Sequence, residues 1–167
     1  KTDHLTEQKI IDLFLKIRQI KNREEFLRPI DPQKISLVQL GFQKQLTKTI
    51  KLLEEIYQQQ KTIIVYTDYD ADGITGGAIL WETLYLLGFK ALPYVPHRQH
   101  EGYGFSIKGI DNVKKIYDPA LIISVDHGIT AREKIAYAKK LGISIIVTDH
   151  HLKPEKTPDQ AVAVFHL

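Results

Sequence analysis

The chain of 167 residues contains no cysteine, which excludes disulfide bonds, thiolate zinc sites and cysteine nucleophiles. It has no apolar run near the roughly 18 residues of a membrane span. It also lacks the basic, apolar and small-residue segments of a secretory signal. We therefore expect no membrane partner and a reducing compartment, the cytoplasm. The 43% of hydrophobic and 26% of charged residues are typical of an ordinary globular domain.

An excess of one charge sign is also missing from the composition. The formal net charge of +3 is too small to indicate nucleic-acid binding by itself. The surplus of basic residues lies in residues 1–61, whereas acidic residues slightly outnumber basic ones in residues 62–167. Several of those acidic residues directly follow predicted strands.

Residues 1–60 have the apolar spacing of helices, with steps of three and four residues in two stretches. Asp31-Pro32 has the form of a helix start that leads into the second stretch. We expect residues 1–60 to be an N-terminal helical extension that packs on a main domain of residues 61–167. The apolar residues of the two stretches are Ile10, Leu13, Phe14, Ile17 and Ile20, then Leu40, Leu46, Ile50, Leu53, Ile56 and Tyr57.

From residue 61 onward, short apolar segments alternate with segments of helical period. Because the apolar segments have no polar face, they predict an α/β fold with a parallel β-sheet flanked by helices. The predicted strands are 62–67, 91–95, 121–125, 143–148 and 161–165, and the predicted helices are 74–87, 106–117 and 130–141.

Three of the predicted strands run directly into acidic residues and histidines. In an open parallel sheet, ligands bind outside the carboxyl ends of the strands, so we expect the three loops to converge on one crevice. The residues are Asp68, Asp70 and Asp72 after the first strand, Asp126 and His127 after strand 121–125, and Asp149, His150 and His151 after strand 143–148.

Such a cluster favours a metal site, because neighbouring carboxylates raise one another's pKa unless a cation neutralises them. Carboxylates with one or two imidazoles suit Mn²⁺ or Mg²⁺. Asp126 could bridge two ions, the arrangement that hydrolyses phosphate esters. No Ser-His-Asp hydrolase elbow occurs, and residues 73–77 lack the lysine of a phosphate-binding P-loop.

Structural interpretations of the same residues stay open at this point. An aspartate after a strand is often only a turn former or a helix cap. Asp149 could orient an imidazole from outside the metal shell. His127 either lines the site or is a bystander.

In order and spacing, three of these segments resemble motifs I, II and III of the DHH phosphoesterase superfamily. They are Asp68 with Tyr69-Asp70-Ala71-Asp72-Gly73, then Val125-Asp126-His127-Gly128-Ile129, then Thr148-Asp149-His150-His151. Pro96-His97-Arg98 and Glu101-Gly102-Tyr103-Gly104 are similar to a stretch of the RecJ family of bacterial exonucleases within that superfamily. The resemblance covers about residues 24–164.

The resemblance implies a Mn²⁺- or Mg²⁺-dependent exonuclease with two ions that degrades single-stranded DNA in the 5′→3′ direction during recombination and repair. A single-strand DNA-binding protein is a plausible partner for this family. By position, Asp70, Asp72, Asp126 and His150 match metal ligands, and Asp68 matches an acidic residue close to the metals. His151 matches a residue that contacts the scissile phosphate, and Asp149 matches a residue that supports the histidines.

The resemblance further implies substrate contacts outside the three motifs. Arg98 lies in the segment expected to bind a DNA phosphate, where a guanidinium can bind bidentately. Tyr103 either stacks on a base or packs within its turn. The sequence departs from the family at His127, where cysteine or asparagine is common. The fourth acidic motif of the family would lie beyond residue 167, so we expect the chain to be part of a longer protein.

Two other functions remain open. The first is an oligoribonuclease or cyclic-dinucleotide phosphodiesterase of the same superfamily, against which the Glu101–Gly104 segment and the N-terminal helices argue. The second is a non-catalytic module that binds DNA or a protein partner. Degenerate members of that kind have lost metal ligands, whereas motifs I to III are intact here, so metal binding would separate the two classes.

Overall fold

The computed structural model describes residues 6–167, which fall into two compact units that meet at Gly41 and Phe42. The first unit contains helix α1 (Glu7–Ile17), helix α2 (Arg23–Leu27) and a 3₁₀ helix (Pro32–Lys34). Thr6 caps α1 by accepting a hydrogen bond from the N–H of Lys9, as the preference of threonine for this position predicts. The expected helix in the first apolar stretch is thus confirmed.

The predicted helix that starts at Asp31-Pro32 and leads into the second apolar stretch is wrong. Pro32 begins only a 3₁₀ helix, and the long helix α3 (Gln43–Gln58) starts well beyond it. Two features separate them. The side chains of Ser36 and Gln39 each accept a hydrogen bond from the other residue's backbone N–H, which closes a turn. Gly41 then has a φ of +85°, which is incompatible with a continuous right-handed helix.

The second unit is a parallel five-stranded sheet with strand order β2-β1-β3-β4-β5, so the predicted fold class is confirmed. The strands are β1 (Ile63–Thr67), β2 (Ala91–Tyr94), β3 (Leu121–Val125), β4 (Ser144–Asp149) and β5 (Ala163–His166). The other helices are α4 (Ala71–Leu86), α5 (Arg98–Glu101), α6 (Ile107–Tyr117) and α7 (Arg132–Lys140).

The two faces of the sheet are buried by different helices. On one face, Ile64 and Tyr66 of β1 pack in a core with α6 and α7. On the other face, Ile63 and Val65 pack in a core with α3 and α4. Every residue of β1 and β3 is buried, which explains why these strands have no polar face in the sequence.

Helix α3 packs on the sheet. Ile56 is 3% exposed within the core on that face, and the rings of Phe42 and Phe165 are 5.5 Å apart. The compact unit therefore begins at Phe42, earlier than residue 61. The predicted division into domains of residues 1–60 and 61–167 stays a prediction.

The register of the central strands aligns their carboxyl ends. Thr67 pairs with Val125, and Val125 pairs with Thr148. The ladder continues one step further, because the N–H of Asp126 donates to the carbonyl of Thr148 over 2.9 Å. The three acidic loops therefore leave the sheet at the same level. Within residues 6–167, no helix has both the length and the apolar character to cross a membrane.

Glycine allows helix α4 to lie directly against the end of β1. A Cβ atom at Gly73 would be 2.6 Å from the carbonyl oxygen of Asp68, closer than atoms in a well-packed interior approach. Helix α4 begins at Ala71, three residues earlier than predicted, because Asp70 caps it by accepting a hydrogen bond from Gly73 N–H over 3.0 Å. The close approach thus fixes the loop that carries Asp68 and Asp70.

We predict that Gly73→Ala destabilises the protein by about 1–3 kcal/mol, the usual range for overpacking. The new methyl group would meet backbone atoms of Asp68, which cannot rotate away. Urea unfolding measures the change. Gly76→Ala is the matched control in the same helix, because its Cβ would meet only the Cγ1 atom of Val125 at 3.1 Å. A Gly73→Ala variant as stable as the control would contradict the packing argument.

Candidate metal centre

Asp126 is the central residue of the site, directly after the last residue of β3. Its φ of +66° lies in the left-handed region, which is uncommon for residues other than glycine and is better tolerated by aspartate and asparagine. The residue is 7% exposed. Its carboxylate oxygen Oδ1 lies 2.8 Å from His150 Nε2, whereas Oδ2 is buried without a hydrogen-bond partner among residues 6–167. A strained, buried carboxylate with an unsatisfied oxygen is the type of feature that marks functional sites.

Two histidines from the β4 loop approach this carboxylate. His150 Nε2 lies 2.8 Å from Asp126 Oδ1, close enough for an ion pair. One ligand atom each from Asp126, His150 and His151 lie within 4.8 Å of one another. The structure thus brings together three of the predicted site residues from two neighbouring strands.

Asp70 adds a second carboxylate beside Asp126. Burial and the nearby Asp70 raise the pKa of Asp126. The hydrogen bond from Gly73 N–H at the start of α4 lowers the pKa of Asp70. The negative charge of the pair is therefore favoured on Asp70, and a bound cation would stabilise the ionised form of both carboxylates.

Asp68 lies beneath these groups and is completely buried. Its Oδ1 accepts a hydrogen bond from the N–H of Tyr69 over 2.7 Å, whereas Oδ2 has no hydrogen-bond partner in the described part of the chain. Contact with the Asp68 carboxylate raises the pKa of Tyr103 to about 12.

Asp149 has the opposite character, because its carboxylate is fully used within the protein. Oδ1 accepts hydrogen bonds from the N–H groups of His150 and His151 and lies 2.8 Å from His151 Nδ1, and Oδ2 accepts from Ile129 N–H. Burial opposes ionisation, but these bonds together lower the pKa of Asp149. The same contact raises the pKa of His151, so Nδ1 carries a proton and Nε2 is left for another partner.

His127 is buried and packs in the core. Its ring packs against Tyr66 and Phe105, and its Nε2–H donates to the carbonyl of Tyr66 over 3.0 Å. Burial lowers the pKa of His127 to about 4, so the ring is neutral at physiological pH. The sequence left open whether His127 lines the site or is a bystander. The structure supports a bystander that packs in the core.

The remaining predicted residues lie around this centre. Asp72 is exposed on the first turn of α4, and the compact ligand group found among residues 6–167 does not include it. Arg98 is exposed at the start of α5, with its Cζ 5.0 Å from the ring centroid of Tyr69. The rings of Tyr69 and Tyr103 meet edge to face at 5.8 Å.

Tyr69 is the member of this group that the sequence analysis did not single out. It contacts both predicted substrate residues, Arg98 and Tyr103. Its place between Asp68 and Asp70 was the available signal, because an aromatic residue flanked by two predicted ligands must lie beside the site.

The donor set fits a divalent cation. Two buried carboxylate oxygens, Oδ2 of Asp126 and Oδ2 of Asp68, have no hydrogen-bond partner in the described residues. Burial and the neighbouring Asp70 raise the pKa of Asp126, and a bound cation would oppose that shift. Oxygen ligands with one or two imidazoles are the ligands that Mn²⁺ and Mg²⁺ accept.

Comparison with known proteins relates this site to one family. Residues 62–167 match the DHH family, N-terminal domain. The single-stranded-DNA-specific exonuclease RecJ of Thermus thermophilus is 42% identical over 121 residues, which are 72% of this chain and 18% of that protein. The enzyme of the same name from Haemophilus influenzae is 34% identical over 150 residues, which are 89% of this chain and 25% of that protein.

Solved structures give the same result. A structure described as exonuclease RecJ bound to manganese matches with a TM-score of 0.65 and 38% identity, over 73% of this chain and 31% of that one. RecJ of Thermus thermophilus in complex with Mn²⁺ matches with a TM-score of 0.63 and 29% identity, over 95% and 21%. In comparison with the two curated relatives, the chain spans a quarter or less of their length.

We predict that Asp126→Asn lowers the affinity for Mn²⁺ by more than the roughly 10–100-fold lost when an outer-shell partner is removed. The amide keeps the shape of the side chain but cannot carry the charge. Isothermal titration calorimetry of the metal-free protein measures the affinity. Asp111→Asn on the exposed side of α6 is the matched control and should bind Mn²⁺ as the wild type does. Equal affinity in all three proteins would contradict a metal centre at Asp126.

We predict that His151 in the metal-free protein titrates above its ordinary pKa of 6.5 and that Asp149→Asn lowers this pKa. NMR of the imidazole C–H groups follows the titration. Because the folded-state pKa is raised, the contribution of His151 to stability is present below pH 6.5 and is lost as pH rises through the folded-state pKa. The contribution of Asp149, whose pKa is lowered, is present above its unfolded value and is lost on acidification. An unchanged His151 pKa in Asp149→Asn would contradict the pairing.

Proposed function

The chain belongs to the DHH family, and on that premise we propose that it carries the catalytic core of a metal-dependent 5′→3′ exonuclease for single-stranded DNA. The observation that carries the proposal is the convergence of Asp126, His150 and His151, whose ligand atoms lie within 4.8 Å of one another. A metal-binding cluster of this kind supports phosphodiester hydrolysis rather than DNA binding alone.

The relatives support the substrate class. The curated proteins from Thermus thermophilus and Haemophilus influenzae are both named single-stranded-DNA-specific exonuclease RecJ, and two solved relatives are described as bound to manganese. The family match covers residues 62–167 and therefore includes all three acidic loops. That match also supports a DHH domain that begins near residue 61, as the sequence predicts.

Asp70, Asp72, Asp126 and His150 are the proposed ligands of Mn²⁺ or Mg²⁺, with Asp68 as a buried carboxylate beside them. A bound pair of ions would act as a Lewis acid and would activate water as the nucleophile. The unpaired buried oxygens of Asp126 and Asp68 support these roles. Asp72 is assigned by its position in the motif, and its side chain is exposed at the N-terminus of α4.

His151 is the proposed contact to the scissile phosphate. Asp149 holds the Nδ1 atom of His151 at 2.8 Å, so Nε2 is left to bind a phosphate oxygen. The raised pKa of His151 favours the doubly protonated ring, which donates from Nε2 to a phosphate oxygen. Asp149 and His151 therefore act as a pair in which the carboxylate stabilises the charged imidazole.

Arg98 and Tyr103 are the proposed contacts to the rest of the nucleotide. The guanidinium of Arg98 can bind a phosphate through two N–H groups. Tyr103 is 61% exposed and offers one face of its ring for a base, which is a sequence-independent contact in single-strand binding. We further propose that the activity serves recombination and repair in the cytoplasm. A single-strand DNA-binding protein as partner rests on the family resemblance alone.

The test is digestion of a 5′-phosphorylated single strand that carries a fluorophore at its 3′ end. In Mn²⁺, products should shorten while the label is retained, and EDTA should stop the reaction. His151→Asn should lower the rate by about 100-fold, the loss typical of one group that stabilises transition-state charge. Asp111→Asn should cut at the wild-type rate.

Other outcomes of the same assay would support the alternatives. Hydrolysis of cyclic dinucleotides or short RNA without digestion of DNA would favour the oligoribonuclease or cyclic-dinucleotide phosphodiesterase. Mn²⁺ binding without hydrolysis of any of these substrates would overturn a catalytic role for this chain. It would favour the module that only binds DNA or a partner.

A further inference from the structure

We propose that Glu101 is a positioning residue, whose carboxylate holds residues 97–104 so that Arg98 and Tyr103 face the acidic end of β1. The proposal rests on the proposed function, because it assigns to Glu101 the ordering of the nucleotide contacts of that site. Residues 97–104 are called the α5 segment below, after the short helix that they contain.

Glu101 joins three elements of the fold. Its two carboxylate oxygens accept the hydroxyl of Tyr94 in β2 at 2.8 and 2.9 Å, and Oε1 also accepts the amide of Asn112 in α6 at 3.0 Å. Hydrogen bonds to an ionised acceptor are the stronger ones. Burial and the Glu101 carboxylate together raise the pKa of Tyr94. The last residue of α5 is therefore tied to both a strand and a helix.

A second contact fixes the segment three residues later. The hydroxyl of the fully buried Tyr66 donates to the carbonyl of Gly104 over 3.4 Å. Helix α6 approaches this point because it has a glycine there. A Cβ atom at Gly109 would lie 2.1 Å from the Tyr66 hydroxyl and 3.2 Å from Glu101 Oε2. The backbone between residues 101 and 104 is thus held at both ends.

The Arg98 side chain has no comparable hydrogen bond or ion pair among residues 6–167. Arg98 contacts the Tyr69 ring, and Tyr103 meets the same ring at its edge. An exposed cation–π contact contributes only about 0.5–1 kcal/mol, which is less than the roughly 1.5–2 kcal/mol of side-chain entropy that an ordered arginine loses. We therefore attribute the position of the Arg98 side chain to the backbone that carries it. Glu101 is the charged residue whose hydrogen bonds hold that backbone in place.

The first experiment measures the position of Arg98 without any substrate. In the wild type, the Nε–H resonance of Arg98 should be shifted by the ring current of Tyr69. Glu101→Ala should remove that shift, while Glu101→Gln, which keeps an acceptor for both donors, should retain it. Glu82→Ala, at an exposed position of α4, is the matched control. An unchanged Arg98 resonance in a folded Glu101→Ala protein would overturn the proposal.

The second experiment measures affinity for a 5′-phosphorylated, phosphorothioate-linked single strand in Mn²⁺ by fluorescence anisotropy. Glu101→Ala should weaken binding about tenfold, the scale of one hydrogen bond to a charged group, and Glu101→Gln should restore most of the affinity. Mn²⁺ affinity should not change in either variant. In an Arg98→Ala background, Glu101→Ala should weaken binding less than it does in the wild type, because part of its effect acts through Arg98. An equal loss in both backgrounds would overturn the proposal.

The two readouts separate this proposal from the proposed function. If the wild type does not bind the strand but Glu101→Ala still moves the Arg98 resonance, the positioning role stands and the nuclease function of this chain fails. If Glu101→Ala does not fold, Tyr94→Phe provides the same test, because it removes only the hydroxyl donor to Glu101.

Discussion

Repulsion between carboxylates is the constraint around which the carboxyl edge of the sheet is organised. Asp149 meets it with hydrogen bonds to both oxygens, and Asp70 meets it at the N-terminus of α4, where backbone N–H groups favour an anion. Asp68 and Asp126 keep buried oxygens without a hydrogen-bond partner among residues 6–167. The electrostatic cost is therefore concentrated on two buried carboxylates of the proposed metal site.

The rest of the sheet offsets this cost. A left-handed φ at a residue other than glycine costs about 1–3 kcal/mol, and each buried polar group without a partner costs about 1–3 kcal/mol more. Burying one isoleucine or valine side chain stabilises the folded protein by about 1.5–3 kcal/mol. Most of the buried isoleucine and valine residues of the two cores belong to β1, β3 and β4. A rigid apolar sheet can thus hold an edge that would not be stable by itself.

The sequence predicted those parts of the fold that depend on local composition. Strands 121–125 and 143–148 consist mainly of isoleucine and valine, so their burial in the sheet could be predicted from composition. Helix α5 has four residues, which is too few to show a helical period. The wrong helix start at Asp31-Pro32 has a related cause, because the turn at Ser36 and Gln39 depends on side-chain hydrogen bonds that residue spacing does not reveal.

The candidate site shows the same division between what a pattern contains and what it does not. The acidic residues that follow three predicted strands indicated which loops meet. They did not indicate that consecutive residues of one loop point in different directions. Asp126 and His127 are neighbours, yet the carboxylate lies against His150 and the imidazole packs in the core. The φ of +66° at Asp126 goes with this change of direction, and no residue type in the motif signals it.

Hydrogen-bond satisfaction distinguishes the two Asp-His pairs of the site better than their sequences do. Asp126-His127 and Asp149-His150 have the same residue order at the ends of neighbouring strands. Both oxygens of Asp149 are used within the protein, so this carboxylate can orient His151 but has little capacity left for a cation. Asp126 Oδ2 lacks such a bond in the described residues, and Oδ1 has only the His150 imidazole beside it. A buried oxygen that the protein does not satisfy is the one that a bound ion would stabilise, which supports the proposed ligand role of Asp126 and the proposed positioning role of Asp149.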